Sequence, residues 1–347
     1  MFSLPVLEHQ LVMYVTGEKD AFPKPFDLSS VPVVTREQSL AEDRTRKLTT
    51  ATPTLKAPSA GPKPPARGST EAAATVTAAA QKYAQQLQAI PDFASYGGVL
   101  KSSAVSELTE SETEYVVTAV KHLFKSHVVL RFDVKNTLPD TVLADVTVVC
   151  TADEESGLEE EFTIPAPLLK TDEPGTVYVS FKRPEDADFI AANFSNVLKF
   201  TSKEIDPSTN EPEDSGYDDE YEIEDLDLVG ADYILPAFAG SFDSIFDSID
   251  AGSDHETEET LQLGNAKTIA EATELLVKTL AMQPLEGSEV TLSNSTHTLK
   301  LYGKSVQGGK VACLIRMAFS AKSGVTVKVC VRSEEAGLAA LVMTGVA

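Results

Sequence analysis

The chain has 347 residues, a formal net charge of −24 at neutral pH and a hydrophobic content of 42%. This length allows about two domains with a sizeable core, and the strong negative charge argues against a protein that binds nucleic acid or an anionic membrane. The three cysteines lie far apart, and no basic segment followed by an apolar one marks the start, so we expect a reducing compartment and no signal peptide.

The first third of the chain changes character at about residue 35. Residues 1–34 have the pattern of a short helix followed by an extended, proline-containing tail. Beyond them Thr, Ala, Pro, Lys and Gly dominate, and such a composition buries too little apolar surface to offset the entropy of ordering. We therefore predict a disordered linker over residues 35–104, with a weak alanine-rich helix at 72–90.

Short strands separated by turn residues follow from about residue 105. The clearest is 127–134, in which apolar and polar residues alternate as in a strand with one buried face. Segments of this kind without helical periodicity predict an immunoglobulin-like β-sandwich over residues 105–229. The predicted strands are 114–120, 126–135, 143–150, 159–164, 176–181, 196–203 and 220–228.

Residues 230–347 show a different pattern, in which helices precede an antiparallel sheet. Short helical turns are predicted at 231–238 and 241–249, and an amphipathic helix at 268–282. Ser333 is a candidate N-cap for a closing helix. We therefore predict an α+β platform here, and a fold class that is mainly β with an α+β part. The predicted platform strands are 297–302, 311–319 and 324–331.

Most of the negative charge lies in residues 204–266, which hold 20 Asp and Glu and no Lys or Arg. Two interpretations stay open: a solvated acidic hairpin and loop, or a guide for a basic segment of a partner. The acidic loop 206–220 has Glu211 where a calcium-binding EF-hand loop needs glycine. No Cys or His pair has the spacing of a zinc site. We therefore predict neither a metal nor a cofactor.

Catalytic groups are not recognisable in the sequence. Nucleophilic catalysis needs a nucleophile, a base and an orienting group, and none of the five histidines stands in a motif with Ser or Cys. His127 and His297 are predicted to be structural residues of strands. The glycines in 307–310 lack the spacing of a phosphate-binding loop. We therefore predict that the protein is not an enzyme.

The last two predicted strands carry a candidate binding surface. In 325–332 the valines share one face, which places Lys328 and Arg332 together on the other. Arg316, on the preceding strand, joins them across the hairpin. This basic row is either a solvated strand face, a partner for the chain's own acidic segment, or a site for an acidic ligand.

Five collinear segments of the chain carry a family resemblance: 24–32, 109–139, 199–228, 267–284 and 296–304. Together they resemble the coatomer gamma subunits, the large subunits of the COPI vesicle coat. The resemblance implies that residues 1–34 are a remnant of the end of a helical trunk, that 35–104 are the hinge, and that the sandwich and platform form the C-terminal appendage.

The resemblance also implies a partner-binding site on the platform. In the family the segment equivalent to SFDSIFDSID displays an exposed tryptophan, and Phe246 takes that place here. Phenylalanine keeps an apolar anchor but lacks the indole N–H. The predicted partner-binding set is Phe246, Arg316, Arg332 and Lys328. The alternative is that Phe242 and Phe246 only attach their helix to the core.

The implied function is that of a coat appendage that recruits regulatory proteins, notably an Arf GTPase-activating protein. It acts beside the other coatomer subunits during Golgi-to-ER and intra-Golgi transport. The expected location is the cytoplasm, at the cytosolic face of the Golgi membrane and of COPI-coated vesicles. Two alternatives stay open: a purely structural docking module for other coatomer subunits, and an appendage of a clathrin adaptor.

Overall fold

Three antiparallel sheets dominate the residues that a computed structural model describes, namely 81–206, 208–209 and 211–346. The fold class is the predicted one, mainly β with an α+β part. The predicted segment 1–34 and most of the predicted linker lie outside the described residues. No helix in the described ranges is long and apolar enough to cross a membrane.

Two sheets built from the first ten strands face each other. The strands are β1 (Lys101–Ser102), β2 (Ser106–Glu107), β3 (Tyr115–Leu123), β4 (His127–Asn136), β5 (Thr141–Ala152), β6 (Glu159–Ile164), β7 (Ala166–Leu169), β8 (Pro174–Lys182), β9 (Ala192–Glu204) and β10 (Tyr217–Leu228). One sheet has the order β1-β3-β4-β8-β6, with β2 also on β3, and the other has the order β10-β9-β5-β7. Phe132, Val177 and Leu198 belong to the core between them, so the predicted sandwich is present.

Residues 81–104 correct the linker prediction, because they pack on the outer face of the first sheet. Residues 81–88 are helical (α1), and Pro91–Tyr96 is a 3₁₀ helix whose Phe93 is 2% exposed. The composition of this segment suggests little intrinsic stability, but burial against the sheet supplies it. The cluster so formed consists of Leu87, Phe93, Tyr96, Phe124, Val129 and Tyr178.

The third sheet and three helices form the rest of the fold, from residue 230 onwards. The elements are β11 (Ile234–Pro236), α2 (Phe242–Ser248), β12 (Glu256–Leu263), α3 (Ile269–Leu280), β13 (Gln283–Pro284), β14 (Thr296–Ser305), β15 (Lys310–Ser320), β16 (Gly324–Ser333) and α4 (Leu338–Thr344). The sheet order is β11-β14-β15-β16-β12, with β13 on β14. The buried stripe of α3 includes Ile269, Leu276 and Leu280, which confirms the predicted amphipathic helix.

Two local predictions for this region are wrong, and one strand was not predicted. The segment 231–238 is not a helical turn throughout, because the 3₁₀ helix Gly230–Tyr233 leads into β11. Ser333 ends β16 and does not cap the closing helix, which begins after Gly337 in the left-handed region at a φ of 79°. The strand β12 is not recognisable in the sequence, because its glutamates hide the strand pattern.

Candidate functional site

The helix α2 is attached to the outer face of the third sheet by two phenylalanines. Its sequence repeats as Phe-Asp-Ser-Ile, and residues four apart lie on one face of a helix. Phe242 and Phe246 therefore point the same way, and both are buried, with Phe246 8% exposed. The Ser241 side chain caps the helix by accepting a hydrogen bond from the backbone N–H of Ser244.

A cation lies over each of the two rings. The Nζ atom of Lys300 is 5.4 Å from the centre of the Phe242 ring, and the guanidinium carbon of Arg332 is 4.1 Å from the centre of the Phe246 ring. The aspartate that follows each phenylalanine lies near the same cation. Asp243 is 3.0 Å from Lys300, and Asp247 is 4.0 Å from Arg332. Because the sequence of α2 repeats every four residues, each of its two Phe-Asp pairs contacts one cation of the sheet.

Arg332 is held by several contacts at once. It donates a hydrogen bond of 2.9 Å to the carbonyl oxygen of Phe246, and its Nε–H donates to the carboxylate of Glu256. Its side chain is 18% exposed. Because these contacts join α2, β12 and β16, Arg332 acts first as a structural clamp.

A hollow of about 200 Å³ opens beside this clamp, and we call it the clamp hollow. Its lining includes all four residues of the predicted set, Phe246, Arg316, Lys328 and Arg332. Arg316 and Lys328 are direct cross-strand neighbours on β15 and β16. The valine alternation of β16 accounts for this arrangement, since Val325, Val327, Val329 and Val331 are fully buried on the opposite face.

The cations of this outer face differ in what neutralises them. Three of them form an ion pair with a carboxylate of the chain. Lys300 lies 2.8 Å from Glu286, Lys328 lies 2.7 Å from Glu258, and Arg332 pairs with Glu256. Arg316 is exposed, and within the ranges that the structure describes its side chain has no ion pair or hydrogen bond. Among the cations that line the clamp hollow, Arg316 is therefore the one that is open to a ligand.

The acidic stretch of the chain provides part of this neutralisation. Glu256 and Glu258 both lie on β12, the neighbour of β16, and they pair with Arg332 and Lys328. The interpretation of the basic row as a partner for the chain's own acidic segment is therefore correct for these two cations.

The structure corrects the role predicted for Phe246. A ring that is 8% exposed and covered by Arg332 has little apolar surface left to give to a partner. The alternative prediction, in which Phe242 and Phe246 attach α2 to the core, describes the structure. A strongly exposed aromatic side chain of this region is Phe238, 82% exposed in the loop before α2. Its exposure is not predictable from the sequence, because one apolar residue in a loop gives no periodic signal.

Among the residues that the structure describes, the titratable groups around the site are held in structural roles. Burial raises the pKa of the Cys330 thiol in the clamp hollow to about 11, which keeps it protonated and unreactive at neutral pH. His297 is tied to the backbone, with Nε2 2.7 Å from the carbonyl oxygen of Ser288. Among the residues described, no group of three or more His, Cys, Asp or Glu side chains could hold a metal ion.

The fold and this site define a class of protein: a two-part appendage in which a β-sandwich precedes an α+β platform with a partly basic outer face. Two family models match the chain. The model described as the coatomer gamma subunit appendage platform subdomain matches residues 81–229, and the coatomer subunit gamma-1 C-terminal appendage platform matches residues 231–346.

The chain belongs to the coatomer gamma family. It is 39% identical to the probable coatomer subunit gamma of Schizosaccharomyces pombe, over 99% of this chain and 37% of that protein. It is also 39% identical to coatomer subunit gamma-2 of Oryza sativa subsp. japonica and to coatomer subunit gamma-1 of Bos taurus, in each case over 96% of this chain and 35% of the relative. The chain thus spans little more than a third of the length of these relatives. Of the two appendage families that the sequence left open, these relatives favour coatomer gamma over the clathrin adaptors.

Proposed function

We propose that this chain is a non-enzymatic appendage of the COPI coat that recruits regulatory proteins, notably an Arf GTPase-activating protein. It acts beside the other coatomer subunits in Golgi-to-ER and intra-Golgi transport, at the cytosolic face of the Golgi membrane and of COPI-coated vesicles. Membership of the coatomer gamma family supports the role in the coat. The observation that carries recruitment is the exposed Arg316 beside the clamp hollow, on a face whose neighbouring cations are already paired.

The ligand that fits this arrangement is a short acidic segment of the partner. A carboxylate of the partner pairs with Arg316, where a guanidinium can form two parallel hydrogen bonds. Lys328 is a second contact, because its pair with Glu258 is 44% and 47% exposed and exposed pairs of this kind exchange at little cost. Residues 204–266, which hold 20 Asp and Glu and no Lys or Arg, repel such a segment, so the charge pattern of the appendage favours this face.

The division of the fold belongs to the same proposal. A sandwich over residues 105–229 and a platform over 230–347 form the appendage, and the platform carries the site.

Calorimetric titration of the whole chain with a purified Arf GTPase-activating protein tests recruitment. We expect Arg316→Ala to weaken binding about tenfold, because charged pairs at the centre of an interface contribute more than those at its rim. Lys328→Ala is expected to weaken it about twofold. Lys199→Ala is the matched control, since this lysine is exposed on the sandwich and pairs with Glu220 at 3.1 Å. Phe246 and Arg332 are unsuitable probes because both hold α2 in place.

The alternative is a module that only docks onto other coatomer subunits. In that case the wild-type chain does not bind the Arf GTPase-activating protein, and the wild type and Arg316→Ala capture purified coatomer subunits equally well. Equal affinity of the wild type and Arg316→Ala for the Arf GTPase-activating protein would instead show that recruitment uses another surface.

A further inference from the structure

Arg316 borders a second and larger hollow on its other side. This groove, of about 650 Å³, lies between the loop 286–295 and the first half of β14. We call it the loop groove. Its lining includes Val290, Leu292, Thr298, Lys300 and Arg316. Because Arg316 also lines the clamp hollow, the two depressions meet at a cation that has no ion-pair partner among the described residues.

The loop that forms one wall is fixed to the sheet by hydrogen bonds. The Ser288 hydroxyl donates to the carbonyl oxygen of Lys300 at 3.1 Å and accepts from the Lys300 N–H at 3.0 Å. The backbone N–H of Leu285 donates to the same carbonyl at 2.9 Å. The base of the groove is therefore formed before any ligand arrives, and a preformed site loses little entropy on binding.

Two aliphatic side chains stand exposed on this wall. Val290 is 54% and Leu292 93% exposed, in a loop whose other residues are mainly polar. A single exposed aliphatic residue is ordinary on a protein surface. Two of them lining one groove next to an uncompensated arginine combine an apolar contact with a charged contact, as peptide-binding surfaces do.

The charges of the groove favour an acidic occupant. Lys300 and Arg316 stand on its rim, and the carboxylate of Glu286 is bound by Lys300 at 2.8 Å. The hydrogen bond from Lys300 lowers the pKa of Glu286, and the same bond raises that of Lys300, so both groups stay charged. Lys300 also pairs with Asp243 at 3.0 Å, so two carboxylates neutralise it. The positive charge of Arg316 is left over for the ligand.

We propose that the loop groove is the second half of the peptide site and holds a branched aliphatic side chain of the same acidic segment that pairs with Arg316. The inference rests on the proposed function, because both parts share Arg316. Arg316 faces Thr298 of β14, and the loop is bonded to β14 through Lys300, so about two inter-strand spacings of roughly 4.8 Å separate Arg316 from the loop, whereas an extended peptide advances about 3.3 Å per residue. The aliphatic residue therefore lies about two to four positions from the acidic one.

A random dodecapeptide phage library panned on the whole chain provides the probe. The most enriched peptide is synthesised and titrated calorimetrically against the wild type, Val290→Ser/Leu292→Ser, Arg316→Ala and the matched control Val149→Ser/Leu168→Ser. The control residues are exposed aliphatic side chains of the sandwich, at 43% and 44%. Circular dichroism and thermal unfolding check that each variant is folded.

We expect the enriched peptide to carry an acidic residue with Val, Ile or Leu two to four positions away. Val290→Ser/Leu292→Ser and Arg316→Ala should each weaken binding about tenfold, and the control should leave it unchanged. Replacing the aliphatic residue of the peptide with Ser should cause a similar loss on the wild type and almost none on the groove variant, since the contact is already gone.

The possible failures are distinguishable. If Arg316→Ala weakens binding and Val290→Ser/Leu292→Ser does not, the loop groove is not part of the site and the proposed peptide contact at Arg316 stands. If only the groove variant weakens binding, the peptide bypasses Arg316, which overturns both this inference and the charge contact of the proposed function. If no peptide is enriched, or neither variant has an effect, this inference is wrong, and the titration with the Arf GTPase-activating protein decides the proposed function separately.

Discussion

The guanidinium of Arg332 lies 4.1 Å from the centre of the Phe246 ring and donates a hydrogen bond of 2.9 Å to the carbonyl oxygen of the same residue. One side chain of β16 therefore holds both the ring and the backbone of α2. A substitution at either residue loosens the helix as well as the clamp hollow beside it. Loss of partner binding at these two positions must therefore be interpreted together with the stability of the variant.

Phe246→Ala is expected to lower the free energy of unfolding by about 3 kcal/mol, because it removes a buried aromatic ring and leaves a cavity under Arg332. Phe238→Ala is the matched control. Its ring is 82% exposed, so we expect a change within about 0.5 kcal/mol. Urea unfolding followed by circular dichroism measures both. Equal stability of the two variants would show that the Phe246 ring is not part of the core.

Sequence patterns predicted this fold best where one face of an element is buried and the other is exposed to solvent. The alternation in β16 predicted both its span and the outward direction of Lys328 and Arg332, because valines on one face leave only one orientation. The same reasoning failed for β12. The outward-facing glutamates of β12 neutralise Lys328 and Arg332 of β16. Because charged residues occupy these positions, β12 shows no alternation of apolar and polar residues.

The burial of Phe246 could not be derived from its spacing. Two phenylalanines four residues apart lie on one face of a helix, and that face can either pack against the core or be exposed to bind a partner. What decides between them is Arg332, a cation 86 residues further along the chain, whose position over the ring depends on the tertiary fold. For the same reason no local pattern pointed to the loop groove, which exists only because loop 286–295 folds against β14.

The contact between sandwich and platform contains a buried ion pair that we expect to be sensitive to the loss of one partner. Lys121 Nζ lies 2.6 Å from Asp232, with side chains 9% and 10% exposed. Removing one member leaves the other charge buried and unpaired, so Lys121→Met or Asp232→Leu should each cost about 3–5 kcal/mol. The double variant should recover only part of that loss, because Asp232 also interacts with Lys101 and accepts a hydrogen bond from the backbone N–H of Val229 at 3.0 Å. Urea unfolding of the four proteins gives the double-mutant cycle.

The exposed pair of Lys135 and Asp172 is the control for that cycle. Its distance is 2.7 Å but its side chains are 43% and 71% exposed, and pairs of this kind contribute about 0–1 kcal/mol. Similar losses at the two pairs would mean that the junction pair is not desolvated in solution.

Lys101 should make stability depend on pH above neutrality. Desolvation lowers the pKa of its ammonium from 10.5 to about 8, although it donates to the carbonyl oxygen of Ala231 at 2.7 Å. The unfolded chain therefore binds the proton more tightly than the folded one between these values. Since stability rises with pH wherever the unfolded state holds more protons, the contribution of Lys101 improves as pH rises from about 8 to about 10.5.

The difference in unfolding free energy between the wild type and Lys101→Met isolates this contribution. Other groups that titrate in the same range, such as Tyr96 and Tyr115 with a pKa raised to about 12 by burial, are common to both proteins and cancel. We expect the free energy of unfolding of the wild type to rise, relative to that of Lys101→Met, by about 1–3 kcal/mol between pH 8 and pH 10.5. A difference independent of pH would show that the ammonium stays hydrated in the fold.

The segment 81–96 provides the last prediction, because its composition indicates a linker and its structure indicates a part of the core. Phe93 lies 5.9 Å from Phe162 and 5.6 Å from Tyr178, measured between ring centres, and is 2% exposed. If this packing holds in solution, Phe93→Ala should lower the free energy of unfolding by about 3 kcal/mol and expose the outer face of the first sheet. Val105→Ala, at a side chain 54% exposed, is the nearby control and should change it by less than about 0.5 kcal/mol. Urea unfolding measures the stability, and binding of an apolar dye detects the exposed face. A Phe93→Ala variant as stable as the wild type would show that residues 81–96 belong to the linker and not to the core.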